Sequence, residues 1–147
     1  MSSQYNNPTL TGKSILFADD ELHWIEGLIE VATAEGCEVL TCRNASRAIQ
    51  IVKSRSIDCI VLDVMMSPGS DFPNADPQKG GFVAMEEIFK LKPRQSIVCL
   101  SVLSDQNEID RLKKRNVLFL RKAETSLKKV WQTIEYKLTG LYRDRSA

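Results

Sequence analysis

The chain has 147 residues, the size of one ordinary domain with room for a buried core. Its 20 basic and 19 acidic side chains nearly cancel, so no overall field favours nucleic acid. Its longest apolar stretches are only as long as strands, which excludes a membrane span.

Residues 1–12 are polar and lack the apolar segment of a secretory signal, so we interpret them as a flexible leader. Residues 13–142 form the predicted domain, and residues 143–147 form a short charged tail. We expect a cytoplasmic chain that binds neither nucleic acid nor a membrane. The cysteines lack paired metal-ligand spacing, and we expect them to be free thiols. They are Cys37, Cys42, Cys59 and Cys99.

Five short apolar runs alternate with segments of helical periodicity along the predicted domain. The runs predict strands at Ser14–Ala18, Glu38–Cys42, Cys59–Leu62, Ile97–Ser101 and Val117–Leu120. Strands and helices that alternate in this way predict a parallel sheet with helices on both faces.

The first predicted helix begins near Leu22 and ends near Gly36, a residue type suited to a helix C-terminus. Asn44 is placed to cap the second helix, and Pro93 follows the third. These signals support three separate helices between the first four strands.

The fourth predicted helix opens with Asp105 and Glu108, which are spaced as in a capping box. Its apolar stripe is thin, so much of this helix should face water. The fifth helix has the strongest amphipathic stripe in the chain. Its members are Leu127, Val130, Trp131, Ile134, Leu138 and Leu141.

Polar side chains stand at the ends of four predicted strands. Asp19 and Asp20 follow the first strand, Asp63 follows the third, Ser101 ends the fourth, and Lys122 comes just after the fifth. Ligands of open parallel sheets bind outside the carboxyl ends of the strands. We therefore expect three carboxylates, a hydroxyl and an ammonium to converge at one edge.

This set of groups suits the transfer of a phosphoryl group to a carboxylate. A cluster of carboxylates is unfavourable unless a positive species neutralises it, and a hard divalent cation prefers oxygen ligands. The cation would be held by Asp20 and Asp63, with Asp19 close by. Asp63 would attack phosphorus, Lys122 would pair with the phosphoryl group, and Ser101 would donate a hydrogen bond to it.

In their order and strand contexts, these residues resemble the receiver domain of two-component response regulators, as in single-domain chemotaxis regulators. The resemblance extends from about Lys13 to Leu141. It implies a flavodoxin-like, doubly wound sheet of five parallel strands with five helices. It also implies Mg²⁺ as cofactor, and phosphorylation of Asp63 by the phosphohistidine of a sensor histidine kinase or a histidine phosphotransfer protein.

The resemblance assigns further roles to residues near the site. The backbone carbonyl of Met65 matches a metal ligand, and Ser101 and Phe119 match the pair that moves on phosphorylation. The altered surface would be read by a downstream protein, and we expect a monomer or weak dimer. The family has proline after the lysine, where this chain has Ala123, and a small residue after the hydroxyl residue, where it has Val102.

We expect no enzyme activity beyond Mg²⁺-dependent self-phosphorylation and slow autodephosphorylation. Hydrolysis should be slow because neither Met65 nor Leu103, which flank the site, can orient an attacking water molecule. One alternative is a receiver-like scaffold that works without phosphorylation, which the intact acidic pair opposes. Another is an aspartate-nucleophile phosphatase of the haloacid dehalogenase type. That chemistry needs a second aspartate at position 65 and is therefore disfavoured.

The connection after Asp63 is unusually long. Residues 66–80 form an inserted loop, whereas loops between a strand and a helix usually take about 2–6 residues. Two interpretations remain open: a disordered surface insertion, or a cover that restricts access to the site or selects the kinase. Asp71 and Asp76 within it could reach the metal, although they would add negative charge there.

Overall fold

In a computed structural model, residues 10–141 are described and form one parallel sheet with helices on both faces. The strands are β1 (Ser14–Ala18), β2 (Glu38–Cys42), β3 (Cys59–Leu62), β4 (Ile97–Ser101) and β5 (Leu118–Arg121). They lie in the order β2-β1-β3-β4-β5, and every neighbouring pair is parallel. The predicted doubly wound fold is confirmed. Residues 1–9 of the predicted leader and all of the predicted tail, 143–147, lie outside the described residues.

Five α-helices connect and follow these strands. They are α1 (Glu26–Ala34), α2 (Ala45–Ser54), α3 (Gly80–Leu91), α4 (Gln106–Lys114) and α5 (Leu127–Thr139). The first predicted helix is in fact two pieces, because a 3-10 turn at Leu22–Ile25 precedes α1. Within residues 10–141, the helices are too short or too polar to cross a lipid bilayer.

Strand β5 lies one residue later than the sequence predicted. The backbone N–H of Val117 donates to the carbonyl of Leu112 at the end of α4, so Val117 completes the helix terminus. Asn116 makes this possible with a φ of 60°, a conformation that asparagine tolerates. At the other end Arg121 pairs with Ser101 and extends the ladder.

The sheet separates two cores because successive side chains of a strand point to opposite faces. Leu16 and Ile60 pack with α2, α3 and α4 on one face. Ile15 and Val61 pack with α1 and α5 on the other. This double covering explains the continuous burial of β1, β3 and β4. The four cysteines are free thiols, as predicted, and all four are buried.

Side chains cap α2, α4 and α5, the last through the Ser126 hydroxyl, which accepts from the N–H of Lys129. Asn44 accepts from the N–H of Arg47, as predicted, and Asp105 accepts from the N–H groups of residues 107 and 108. A capping box would also have the Glu108 carboxylate accept from the N–H of Asp105, but this carboxylate pairs with Lys79 instead. In the predicted stripe of α5, Leu127 and Leu141 are exposed.

The two ends of the inserted loop meet just after β3, where backbone hydrogen bonds join them. The N–H of Gly80 donates to the Met66 carbonyl at 2.6 Å, and that of Gly81 donates to the Val64 carbonyl at 3.1 Å. A Cβ on Gly81 would lie 2.2 Å from the Cα of Val64. Glycine is therefore required where the two backbone segments meet.

The first part of this loop packs against the beginning of α2. The N–H groups of Ala45 and Ser46 donate to the carbonyls of Ser67 and Pro68, each at 3.0 Å. The N–H of Asp71 lies 3.3 Å from the Ser46 hydroxyl and donates to it. These bonds satisfy donors at the N-terminus of α2 and give the loop a defined path there.

Candidate functional site

The backbone ladder continues one residue past the strands and fixes where the polar side chains emerge. The N–H of Asp63 donates to Ala18, and the N–H of Asp19 donates to Cys42. The N–H of Lys122 donates to the carbonyl of Ser101 at 2.8 Å. Because the strands are parallel, these side chains reach the same edge of the sheet.

Lys122 links two of the carboxylates. Its ammonium donates to Oδ2 of Asp19 at 2.7 Å and to Oδ2 of Asp63 at 2.9 Å. The side chains of Lys122, Asp19 and Asp63 are only 6%, 4% and 4% exposed. Both contacts are therefore shielded from bulk water, where ion pairs are weak.

The second carboxylate oxygen of Asp63, Oδ1, also accepts hydrogen bonds. It accepts from the Ser101 hydroxyl at 2.7 Å and from the N–H of Met65 at 2.8 Å. Ser101 is fully buried, so this hydrogen bond is shielded from solvent. Together with Lys122, these donors fix the orientation of the Asp63 carboxylate.

Three carboxylates approach closely enough to share one ligand. One oxygen from each of Asp19, Asp20 and Asp63 lies within 4.8 Å of the others. Asp20 is the most exposed of the three, and within residues 10–141 no hydrogen bond or ion pair to its carboxylate is found. Asp71 and Asp76 of the inserted loop are not in this group.

The charge and chemistry of this cluster fit a hard divalent cation. Three carboxylates and the single ammonium of Lys122 leave a formal charge of −2 when all are ionised. Oxygen ligands in this number suit Mg²⁺, which uses one or two carboxylates and completes its shell with water and phosphate oxygens. The open side at Asp20 leaves room for such ligands.

Burial affects the protonation of Asp19. Burial raises the pKa of Asp19, although hydrogen bonds from Lys122 and from the N–H of Glu21 act in the opposite direction. Because the folded pKa exceeds the unfolded one, ionised Asp19 opposes folding at pH 7, and this penalty disappears as the pH falls through the folded pKa.

The pKa of the Lys122 ammonium is also raised, but for this group the shift favours the charged form. Burial lowers the pKa of Lys122, but its hydrogen bonds to Asp19 and Asp63 outweigh burial and raise it overall. The stability that these bonds contribute is present below pH 10.5 and is lost as the pH rises through the folded pKa. Lys122 therefore stays charged at neutral pH.

The remaining predicted residues lie around this centre. Met65 and Phe119 are half-buried and pack against the core on the α2–α3–α4 face. Val102 is 56% exposed, so its side chain extends into solvent.

Sequence reasoning missed a contact at Phe119. The Arg121 guanidinium lies 5.8 Å from the centre of the Phe119 ring, and its Nε lies 3.3 Å from Glu124. The two-residue spacing of Phe119 and Arg121 places them on one face of β5 and was a usable signal.

Ala123, directly after Lys122, has an unfavourable backbone conformation. Its φ is 71°, in the left-handed region that alanine rarely adopts. The family has proline at this position, and proline cannot adopt this φ. The turn that follows the lysine therefore differs from the one that a proline would impose.

These features define a doubly wound α/β domain with an acidic edge. The family model for the response regulator receiver domain matches residues 15–132. The chain therefore belongs to the response regulator receiver domain family, the receiver modules of two-component signalling. The recognition made from the sequence is confirmed.

Similar proteins support this assignment. The autoinducer 1 sensor kinase/phosphatase LuxN of Vibrio campbellii is 30% identical over 112 residues, which span 76% of this chain but only 12% of that protein. A CheY-like receiver domain from Methanospirillum hungatei has a TM-score of 0.72 at 16% identity and covers 87% of this chain and 94% of its own. A chain in the crystal structure of the CheX-CheY-BeF3-Mg²⁺ complex from Borrelia burgdorferi has a TM-score of 0.66 at 17% identity, and the match covers 91% of this chain and 92% of that chain.

The conformation of Ala123 leads to a prediction about stability. Ala123→Gly should raise the free energy of unfolding by about 1 kcal/mol, because glycine adopts a positive φ without a Cβ clash. Urea unfolding would measure the change. Asn116→Gly is the matched control at φ 60° and should gain less, because asparagine already tolerates this region. A less stable Ala123→Gly protein would contradict the assigned backbone conformation.

Proposed function

We propose that Asp63 accepts a phosphoryl group and that its phosphorylation changes a protein-binding surface of this domain. The observation that carries the proposal is the contact set of Asp63, which is bonded to both Lys122 and Ser101 and lies beside two further carboxylates. Lys122 and the N–H of Met65 hold the Asp63 carboxylate in one orientation, from which it can act as a nucleophile.

The transfer forms one bond and breaks another. An oxygen of the ionised Asp63 attacks phosphorus, and the bond from phosphorus to the imidazole nitrogen of a phosphohistidine breaks. The nitrogen keeps the electron pair, and Asp63 becomes an acyl phosphate. Lys122 balances part of the charge on the phosphoryl oxygens, and Ser101 donates a hydrogen bond to one of them.

Mg²⁺ is the proposed cofactor, and Asp19, Asp20, Asp63 and the carbonyl of Met65 would hold it. When bound, it would neutralise charge on the transferred phosphoryl oxygens. The formal charge of −2 at the cluster supports this choice. The Borrelia burgdorferi neighbour was solved with BeF3 and Mg²⁺.

The proposed donor is a sensor histidine kinase or a histidine phosphotransfer protein, and the proposed reader is a separate downstream protein. LuxN, a sensor kinase/phosphatase by name, contains a segment similar to this chain, which supports a donor of this class. We further propose a cytoplasmic location and no enzymatic activity beyond self-phosphorylation and slow autodephosphorylation.

Labelling tests the phosphoacceptor. The chain incubated with a small acyl-phosphate donor and Mg²⁺ should gain one phosphoryl group, which mass spectrometry should locate at Asp63. Asp63→Asn should abolish the label, because an amide is not a nucleophile here, whereas Asp71→Asn should retain it. Label on another residue, or none, would reject the proposal, and no label would favour the scaffold that needs no phosphorylation.

Thermal unfolding tests the metal. Mg²⁺ at ten times its dissociation constant should stabilise the chain by about 1.4 kcal/mol, because it binds only the folded cluster. The quenching or enhancement of Trp24 fluorescence should report the same binding, since Trp24 is exposed and close in sequence to Asp20. Asp20→Asn should weaken both effects, and Asp76→Asn should leave them intact. Equal stabilisation of the Asp20→Asn protein would show that Mg²⁺ binds elsewhere.

The lifetime of the acyl phosphate depends on the Met65 side chain. Met65→Asn should accelerate hydrolysis about threefold to tenfold, because its amide supplies one hydrogen bond that orients the attacking water. Decay of labelled protein after removal of the donor gives the rate. Met65→Leu is the control and should decay like the parent chain. An unchanged rate in Met65→Asn would show that this position does not limit hydrolysis.

A further inference from the structure

One ion pair joins the end of the inserted loop to the first turn of α4. The Lys79 ammonium lies 3.1 Å and 2.9 Å from the two oxygens of the Glu108 carboxylate. The side chains are 36% and 22% exposed, so solvent screens the pair only in part. The two residues belong to the connections that follow β3 and β4, the strands that deliver Asp63 and Ser101.

On the β3 side, the backbone connects Lys79 tightly to Asp63. Gly80 and Gly81 follow Lys79 directly, and a Cβ on Gly81 would lie 2.5 Å from the carbonyl oxygen of Asp63. The N–H of Gly81 also donates to Val64. Lys79 therefore lies directly before a point where the chain packs tightly against the backbone of Asp63.

On the β4 side, Glu108 lies in the first turn of α4, a few residues after Ser101. Asp105 caps α4 and accepts from the N–H of Glu108 at 3.2 Å. Only residues 102–104 separate this cap from Ser101, and the N–H of Leu103 lies 3.4 Å from the Ser101 hydroxyl. A movement of the first turn of α4 should therefore also move Ser101, because only a few residues connect them.

Few apolar residues anchor α4, and ion pairs to α3 add to their packing. Only two of its residues, Ile109 and Leu112, are buried and apolar. Glu86 of α3 pairs with Arg111 at 3.1 Å and with Arg115 at 3.0 Å. The Arg111 guanidinium also lies 4.7 Å from the centre of a phenylalanine ring of α3. Loss of one ion pair should therefore change the position of α4 measurably.

We propose that Lys79 and Glu108 are positioning residues that hold Ser101 against Asp63 in the unphosphorylated chain and thereby slow phosphorylation. Ser101 donates to Asp63 before the transfer and to a phosphoryl oxygen after it, so its hydroxyl must leave the carboxylate. We infer that this movement displaces the first turn of α4 and breaks the ion pair, which therefore opposes the change. The inference rests on the proposed function of Asp63.

Lys79→Met and Glu108→Gln test the inference with two measurements. Phosphorylation by a small acyl-phosphate donor should be about twofold to fivefold faster in both variants, the range that a partly exposed ion pair is worth. Amide hydrogen exchange of residues 101–108 should also be faster in the unphosphorylated variants. The charge exchange Lys79→Glu with Glu108→Lys should restore both values toward those of the parent chain.

Lys90→Met is the matched control. It removes an ion pair of 2.7 Å with Glu87, which lies within α3 and includes no residue of α4. This variant should leave both measurements unchanged. High salt should make the parent chain behave more like Lys79→Met, because it screens the partly exposed pair.

The outcomes separate this inference from the proposed function. Unchanged hydrogen exchange in Lys79→Met overturns the inference, whether or not Asp63 is phosphorylated. Faster exchange with an unchanged phosphorylation rate also overturns it, because the pair would then not act on Asp63. If the parent chain takes no phosphoryl group, the proposed function fails, and hydrogen exchange alone decides whether the pair positions residues 101–108.

Discussion

The contact of the Lys122 ammonium with Asp19 and Asp63 is the interaction on which the acidic edge depends. All three side chains are nearly buried, and two carboxylates without the ammonium would repel each other in a place that is largely shielded from water. Lys122 comes from the edge strand β5, whereas the carboxylates follow β1 and β3 in the middle of the sheet. The interaction therefore also joins an outer strand to the centre of the fold.

Most of the fold and the site could be predicted because burial on both faces leaves a strong signal. Strands β1, β3 and β4 read as continuous apolar runs, and their ends fall where the polar residues begin. Parallel strands end at the same edge, so Asp19, Asp63, Ser101 and Lys122 could be brought together from chain order. Strand β5 is an outer strand, and its boundary was missed because a hydrogen bond of Val117 to α4 decides it.

The rest depends on contacts that have no local signal in the sequence. Lys79 and Glu108 are 29 residues apart, and only the return of the inserted loop to its base brings them together. The spacing of Asp105 and Glu108 predicted a reciprocal capping box, but a tertiary ion pair takes the Glu108 carboxylate instead. Leu127 fits the helical stripe of α5, yet it lies in the first turn, where α1 covers it incompletely.

Under the proposed function, the charge of the phosphoryl group on Asp63 can act on the rest of the domain through two hydrogen-bonded residues, Ser101 and Lys122. Ser101 leads through residues 102–104 to α4, and Lys122 leads through Arg121 to Phe119 on β5. Both routes end at elements with little apolar packing: α4 has two buried apolar residues, and β5 has only half-buried or exposed ones. Because α4 and β5 contact each other, a shift of either changes a shared surface. About two added negative charges therefore act where the domain resists rearrangement least.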